Sequence, residues 1–226
     1  MSIVKVLPDL RAGGGAQMAL DTGLLLTTEA VIARRYLWAP PALSLGKFQE
    51  YDPVPGVPFE VVRRPTGGRA VLHGEVFEWS FAVAFPPGIL GAGPGAGVDV
   101  TTPYDVVAGA FAGALRDLGV ALDEGRAEPY HRSALCFAGA LRHDILSRGE
   151  KLVAIAQARH GGRTLVHGSV LECRPPDELV QVAETLLGEP WQGDGLAGVG
   201  QTLAPKLIWN RVLAGLEASL RALAAD

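Results

Sequence analysis

The chain has 226 residues, 48% of them apolar and 19% charged, with a formal net charge of −4. That is enough chain for one well-buried domain spanning residues 1–226, and it gives no global basic field to attract nucleic acid or an anionic membrane. Two cysteines, Cys136 and Cys173, are too few for a disulfide framework.

Residues 14–27 read as a helix, with Met18, Leu20 and later leucines on its apolar side. Short strand-like runs follow at Arg35–Leu37, Leu43–Leu45, Phe59–Val62, Ala70–Leu72 and Val76–Ala84, rich in β-branched and aromatic residues. Residues 79–98 carry no charge, but Pro86, Pro87, Pro94 and five glycines make a membrane-spanning helix an unfavourable reading. The glycines at 91, 93, 95 and 97 lack a following Gly-Lys-Ser/Thr, so 86–97 reads as a flexible loop rather than a phosphate loop. Thr102-Pro103 supplies an N-cap and first-turn pair, and Val107, Phe111, Ala114, Leu115 and Leu118 recur at helical spacing after it. Three strands are expected at Asp144–Leu146, Lys151–Ala156 and Thr164–Leu171, with Gly149 and Gly161-Gly162 at the turns. Pro175-Pro176 opens a helix reaching about Leu187, and 204–224 forms a long one with Leu207, Ile208, Val212, Leu216, Leu220 and Leu223 on one side. Helices and strands are interspersed irregularly, which predicts an α+β fold with mixed or antiparallel sheets flanked by helices. The N-terminus lacks a basic region followed by an apolar core, so the cytoplasm is the expected location, with both thiols reduced.

The most informative stretch is Arg63-Arg64-Pro65-Thr66-Gly67-Gly68-Arg69-Ala70-Val71-Leu72-His73. Two arginines precede a Thr-Gly-Gly turn whose glycines permit close backbone approach and unusual dihedrals. Beside it, the guanidinium groups add fixed charge and fork-shaped donors, as a site for an acyl or phosphate-like group requires. A solvated Gly-Gly hairpin is the plain alternative. His73 and His167 alone are more often buried structural groups than bases. No His, Cys and carboxylate cluster has the spacing of a zinc site, so no metal is expected.

In order along the chain, four segments carry a likeness: Met18-Ala19-Leu20-Asp21; Trp38 to Gln49 with Leu43-Ser44-Leu45-Gly46-Lys47; the Arg63–His73 run continuing to Trp79-Ser80; and Lys151 to Gln157 followed by His167-Gly168-Ser169-Val170-Leu171. Together they resemble the lipoate-protein ligases and octanoyltransferases, which share a catalytic domain with biotin-protein ligases. Cys136-Phe137, fifteen residues before Lys151, resembles the octanoyltransferase branch, where that cysteine is the acyl-accepting nucleophile. Arg69 in place of a third glycine also fits that branch. The resemblance implies that Lys151 contacts the acyl carbonyl. An ammonium there would raise the thiolate fraction and hold a developing oxyanion. It further implies a pocket lined by Arg64, Thr66, Gly67, Gly68, His73, Ala154, Gln157, His167 and Gly168, with His167 holding a strand end. The chain departs from the family at Ala154-Ile155, where Gly-Ser is usual, and at Gln17, where asparagine is usual. Cys173 lies outside every matching segment and is expected to be structural.

The activity implied is transfer of an octanoyl or lipoyl group from acyl carrier protein, through a Cys136 thioester, to a lysine of a lipoyl domain. Such domains belong to 2-oxoacid dehydrogenase complexes or to the glycine cleavage H protein. No cofactor is needed for that reaction. The alternatives are ATP- and Mg2+-dependent lipoate ligation through an acyl-adenylate, amidotransfer between lipoyl domains, and a non-catalytic lipoyl-binding homologue. Neither nucleic acid nor membrane is an expected partner.

Overall fold

A computed structural model describes residues 2–51, 55–90, 100–124, 134–138 and 141–225. Its elements run β1 (Val4–Val6), β2 (Leu10–Ala12), α1 (Gly14–Thr27), β3 (Val31–Trp38), β4 (Ala42–Leu45), β5 (Glu60–Arg63), β6 (Val71–His73) and β7 (Glu78–Phe85). There follow α2 (Thr102–Asp117), a 3-10 turn (Cys136–Ala138), β8 (Ile145–Ser147), β9 (Glu150–His160), β10 (Arg163–Leu171), α3 (Asp177–Leu187), α4 (Gly195–Gly198) and α5 (Pro205–Leu223).

A seven-stranded sheet is ordered β1-β3-β7-β10-β9-β8, with β2 also on β3, and a three-stranded sheet is ordered β5-β4-β6. Strands β3, β7, β10, β9 and β8 pair antiparallel, whereas β1 and β2 lie parallel to β3, and β5 lies parallel to β4. The α+β expectation therefore holds, and the sheets are mixed.

Strand β7 is buried at all eight positions, so its alternation separates two apolar environments rather than core from water. Trp79, Phe81, Val83 and Phe85 meet Phe111 and Leu115 of α2 and Trp209, Val212 and Leu216 of α5. On its opposite face, Ala82 and Ala84 meet Met18, Leu24 and Leu25 of α1. There too lie Glu78 and Ser80, polar and fully buried. Between the two sheets a second core gathers Leu43, Leu45, Leu72, Phe77, Leu135 and Leu171 around α3. The small sheet thus lies over the polar half of the large sheet's inner face, and the site forms there.

Most expected elements occur within a residue or two of their predicted ends. Helix α2 begins at Thr102 itself, with Thr101 in the capping position, no side-chain cap bond and Pro103 in the first turn. Leu207 is 44% exposed, and Trp209 is buried in its place on α5. Strands β1 and β2 escaped the sequence reading because three-residue segments such as Val-Lys-Val and Leu-Arg-Ala show too little periodicity. Of the expected 86–97 loop, residues 91–97 lie outside the described residues, while Pro87–Leu90 form a turn. Among the described residues no helix is long and apolar enough to cross a membrane.

Phe111 has no exposed surface and packs its ring 4.2 Å from Phe81 and about 6 Å from Trp79 and Trp209. Replacing it with alanine removes this hub between sheet and helices and should cost about 3–5 kcal/mol in chemical denaturation. A loss below about 1 kcal/mol would show that the helical layer is not anchored there.

Candidate functional site

The Arg63–His73 run forms the end of β5, a turn and β6, and the chain's own donors hold that turn in place. Arg63 Nη1 donates to the carbonyls of Gly46 (2.8 Å), Lys47 (3.3 Å) and Gln49 (2.7 Å), tying the loop after β4 to β5. Arg64 points inward and is 6% exposed. Its Nη1 donates to Ser44 O (2.9 Å) and Oγ (3.3 Å), and its Nη2 donates to Gly67 O (3.0 Å) and Arg69 O (2.6 Å). Nε donates to Thr66 Oγ1 and Gly67 O, both at 3.2 Å. All five guanidinium N–H groups are thereby engaged with the turn and its neighbour strand. Arg64 therefore shapes the turn from within the cavity wall it lines. Burial, the largest influence, pulls its basicity down, against the opposing pull of Cys136 and Tyr36.

Gly68 has a φ of +91°, which an L side chain resists. A Cβ at Gly46 would stand 1.9 Å from Gly68 O, so the two loops meet backbone to backbone. Gly67 faces open space, and nothing in the protein itself would obstruct a side chain there.

Two buried relays pin this small sheet to the large one. In the first, Asp21 on α1 accepts from Arg34 Nε (2.9 Å) and from the Tyr36 hydroxyl (3.0 Å), and its Oδ2 lies 2.8 Å from His167 Nδ1. The other ring nitrogen of His167 lies 2.7 Å from Thr66 Oγ1, inside the turn. Burial alone would raise the Asp21 carboxyl, but the Arg34 charge and the His167 hydrogen bond outweigh it, holding the group below its ordinary 3.8. Gln17 completes the knot: its Oε1 accepts from Arg34 Nη1 (2.9 Å), and its Nε2 donates to the carbonyls of Leu10 and Leu37. In the second relay, His73 Nε2 lies 2.7 Å from Ser44 Oγ and Nδ1 lies 3.3 Å from Glu78 Oε1. The ring stacks on Trp38 at 3.9 Å between centroids. Burial drives His73 below its ordinary basicity despite Glu78 pulling the other way, so the ring is neutral near pH 7.

Between the sheets lies a cavity of about 170 Å3. Met18, Tyr36, Trp38, Val71 and Ala154 supply apolar wall, and Cys136, Asp144 and Lys151 also border it. Cys136 is half-buried on the 3-10 turn, which a short parallel bridge ties to the small sheet: Cys136 N–H donates to Ala70 O and Ala70 N–H to Ala134 O, both at 2.9 Å. Lys151 Nζ lies 2.6 Å from Cys136 O, 3.9 Å from Cys136 Sγ and 2.8 Å from Asp144 Oδ2. The ammonium and the carboxylate are both nearly inaccessible to water, at 4% and 3% side-chain exposure.

Of the expected site residues, Cys136, Lys151, Arg64, Gly67, Gly68, His73, Ala154, Gln157, His167 and Gly168 all border this one cavity. Thr66 is fully buried behind its wall, on His167. Gly168 borders it with backbone only: a Cβ there would strike Phe81 and the Ala154 carbonyl. Gln157 gives its backbone N–H to Tyr104 Oη and its amide N–H to Val100 O. Cys173 lies away from the cavity, its thiol against Val76 O, and burial raises its pKa. The sequence reading gave no role to Asp21, Glu78 or Asp144. Asp21 falls inside the Met18–Asp21 segment, but nothing in the sequence pairs it with His167, and no pattern points Asp144 or Glu78 to their partners. Among the described residues no group of His, Cys, Asp and Glu is arranged to hold a metal ion.

Residues 15–198 match the lipoyl protein ligase A/B catalytic domain, and the chain belongs to that family. It is similar to octanoyltransferase LipM of Kyrpidia tusciae, 35% identical over 163 residues that make up 66% of this chain and 57% of that protein. With octanoyltransferase LipM of Moorella thermoacetica it is 34% identical over 181 residues, 73% of this chain and 63% of that one. The chain thus spans about three fifths of these relatives. Among solved structures, lipoate-protein ligase A bound with ATP superposes with a TM-score of 0.70 over 97% of this chain and 85% of that one, at 19% identity. That likeness speaks for the fold.

The depressed basicity of His73 has a definite sign in stability. The unfolded chain takes up a proton near pH 6.5 that the folded ring resists, so this group's support is full above that value and is lost as pH falls through it. Thermal denaturation should show the melting temperature falling from pH 7 to pH 5, and falling less in His73→Gln. Parallel curves for the two proteins would remove His73 as the cause.

Proposed function

We propose that this protein is an acyltransferase that moves an octanoyl or lipoyl group from acyl carrier protein to a lysine of a lipoyl domain through a thioester on Cys136. The observation that carries this reading is the position of Lys151 Nζ, 2.6 Å from the Cys136 carbonyl and 3.9 Å from its sulfur at an apolar-walled cavity. A cation beside a thiol favours the thiolate, and the same cation can stabilise negative charge on an acyl oxygen. The similarity to octanoyltransferases supports the same reading.

In the first half-reaction the Cys136 thiolate attacks the thioester carbonyl. A new C–S bond forms, the carrier's C–S bond breaks, and the carrier leaves as a thiol carrying the proton Cys136 gave up. In the second, the neutral amine of the target lysine attacks the acyl-enzyme. The C–N bond forms, the C–S bond to Cys136 breaks, and the proton shed by nitrogen restores the thiol. The thioester is already activated, so no step uses ATP or Mg2+. Ligation through an adenylate has less support, because the Arg64 donors that would meet a phosphate are occupied by the turn.

Incubation with octanoyl carrier protein should give a hydroxylamine-labile octanoyl adduct on Cys136, detected by mass spectrometry. The adduct should be absent in Cys136→Ser and form on the order of 100-fold more slowly in Lys151→Met. No adduct on the wild-type protein, together with lipoate-dependent pyrophosphate release, would replace this mechanism with ligation.

A further inference from the structure

Lys151 carries a net charge into a site almost closed to water, and one anion beside it accounts for its orientation. Asp144 immediately precedes β8, in the connection between the 3-10 turn of Cys136 and that strand. Its Oδ2 accepts from Lys151 Nζ at 2.8 Å and from the Leu141 N–H at 2.8 Å, and its Oδ1 accepts from the Ile155 N–H at 3.1 Å. These backbone bonds come from both sides, one from the Cys136–Asp144 connection and one from β9, so the carboxylate is fixed independently of the lysine. Ile155 stands where the family usually has serine, and its main-chain N–H makes this bond whatever the side chain. The departure at that position therefore leaves the anchor intact.

We propose that Asp144 is a positioning residue for the transfer reaction: it aims the Lys151 ammonium at Cys136, making the centre a Cys136–Lys151–Asp144 triplet. The proposal rests on the reading of Cys136 and Lys151 given above. Without the carboxylate, a buried ammonium would be left with a carbonyl as its close partner. A buried charge that loses its counter-charge is strongly destabilised. The lysine would then turn away toward solvent, which removes positive charge from beside the sulfur. Other charged or titratable groups face this corner. Arg64 has its donors spent on the turn. Tyr104 is a phenol whose proton burial holds more tightly, and the Asp144 charge adds to that effect. His143 stacks on Tyr104 and lies 3.3 Å from Asp105. Among the described residues, Asp144 supplies the carboxylate in contact with Lys151 Nζ.

The test is a double-mutant cycle read by the rate of Cys136 alkylation with iodoacetamide at pH 7, which needs no acyl donor. Asp144→Asn, which keeps an acceptor for the Ile155 N–H, should slow alkylation about 10- to 100-fold. In a Lys151→Met background the same change should alter the rate less than 2-fold, because the group it acts through is gone. If Asp144→Asn does not fold, Asp144→Ser serves in both backgrounds with the same expected losses. Alkylation as fast as wild type, or an equal loss with and without Lys151, would overturn the proposal. Cys136 octanoylation measured alongside separates the two readings. If the wild-type protein takes no octanoyl group while the cycle behaves as expected, the transferase reading fails and the positioning role stands.

Discussion

One fully buried carboxylate, Asp21, joins the parts that make the site. It receives Arg34 and Tyr36 from β3 and orients His167 of β10, which in turn meets Thr66 inside the glycine turn. An ionised carboxylate inside a protein is costly unless it is paired and fully hydrogen-bonded. Here the pairing is complete, so α1, the large sheet and the small sheet are held in one relative arrangement. The second relay, from Glu78 through His73 to Ser44, repeats the pattern one strand over. Each histidine links a carboxylate on the α1–large-sheet side to a hydroxyl on the small sheet. The cavity between the sheets is the space these cross-links keep open.

Within that frame the chemistry is concentrated at one corner. Cys136 is placed by its N–H bond to Ala70 O beside the Ala70–Leu135 bridge at the foot of β6, and Lys151 by its place at the start of β9. The Cys136 segment thus depends on the small sheet and the Lys151 ammonium on the large one. Anything that lets the sheets slide also separates thiol from ammonium. This coupling explains why a glycine turn and a cysteine lying some seventy residues apart in sequence border the same space.

Much of this was legible beforehand, for identifiable reasons. Strand β7 announces itself by its run of aromatic and β-branched residues, and α5 by its apolar spacing. The Thr-Gly-Gly turn stands out because only glycine accepts the backbone angle found at Gly68. Cys136 and Lys151 were legible by resemblance, since a lone thiol and a lone ammonium carry no pattern of their own. The carboxylates were not. Asp21 acquires its meaning from His167 across the fold, while Glu78 and Asp144 meet His73 and Lys151 across a turn or between strands, and no spacing rule announces such meetings. Arg64 borders the cavity as its place in the turn suggests, with its donors turned back on the chain to shape that wall.

The Asp21–His167–Thr66 relay holds the cavity between the sheets in shape. Thr66→Val is nearly isosteric and removes the hydroxyl alone. Calorimetric titration of Cys136→Ser protein with a non-hydrolysable octanoyl thioester analogue, with and without Thr66→Val, would report it directly. The valine form should bind at least tenfold more weakly, about 1.4 kcal/mol, with the fold retained by circular dichroism. Equal affinities in the two proteins would contradict it.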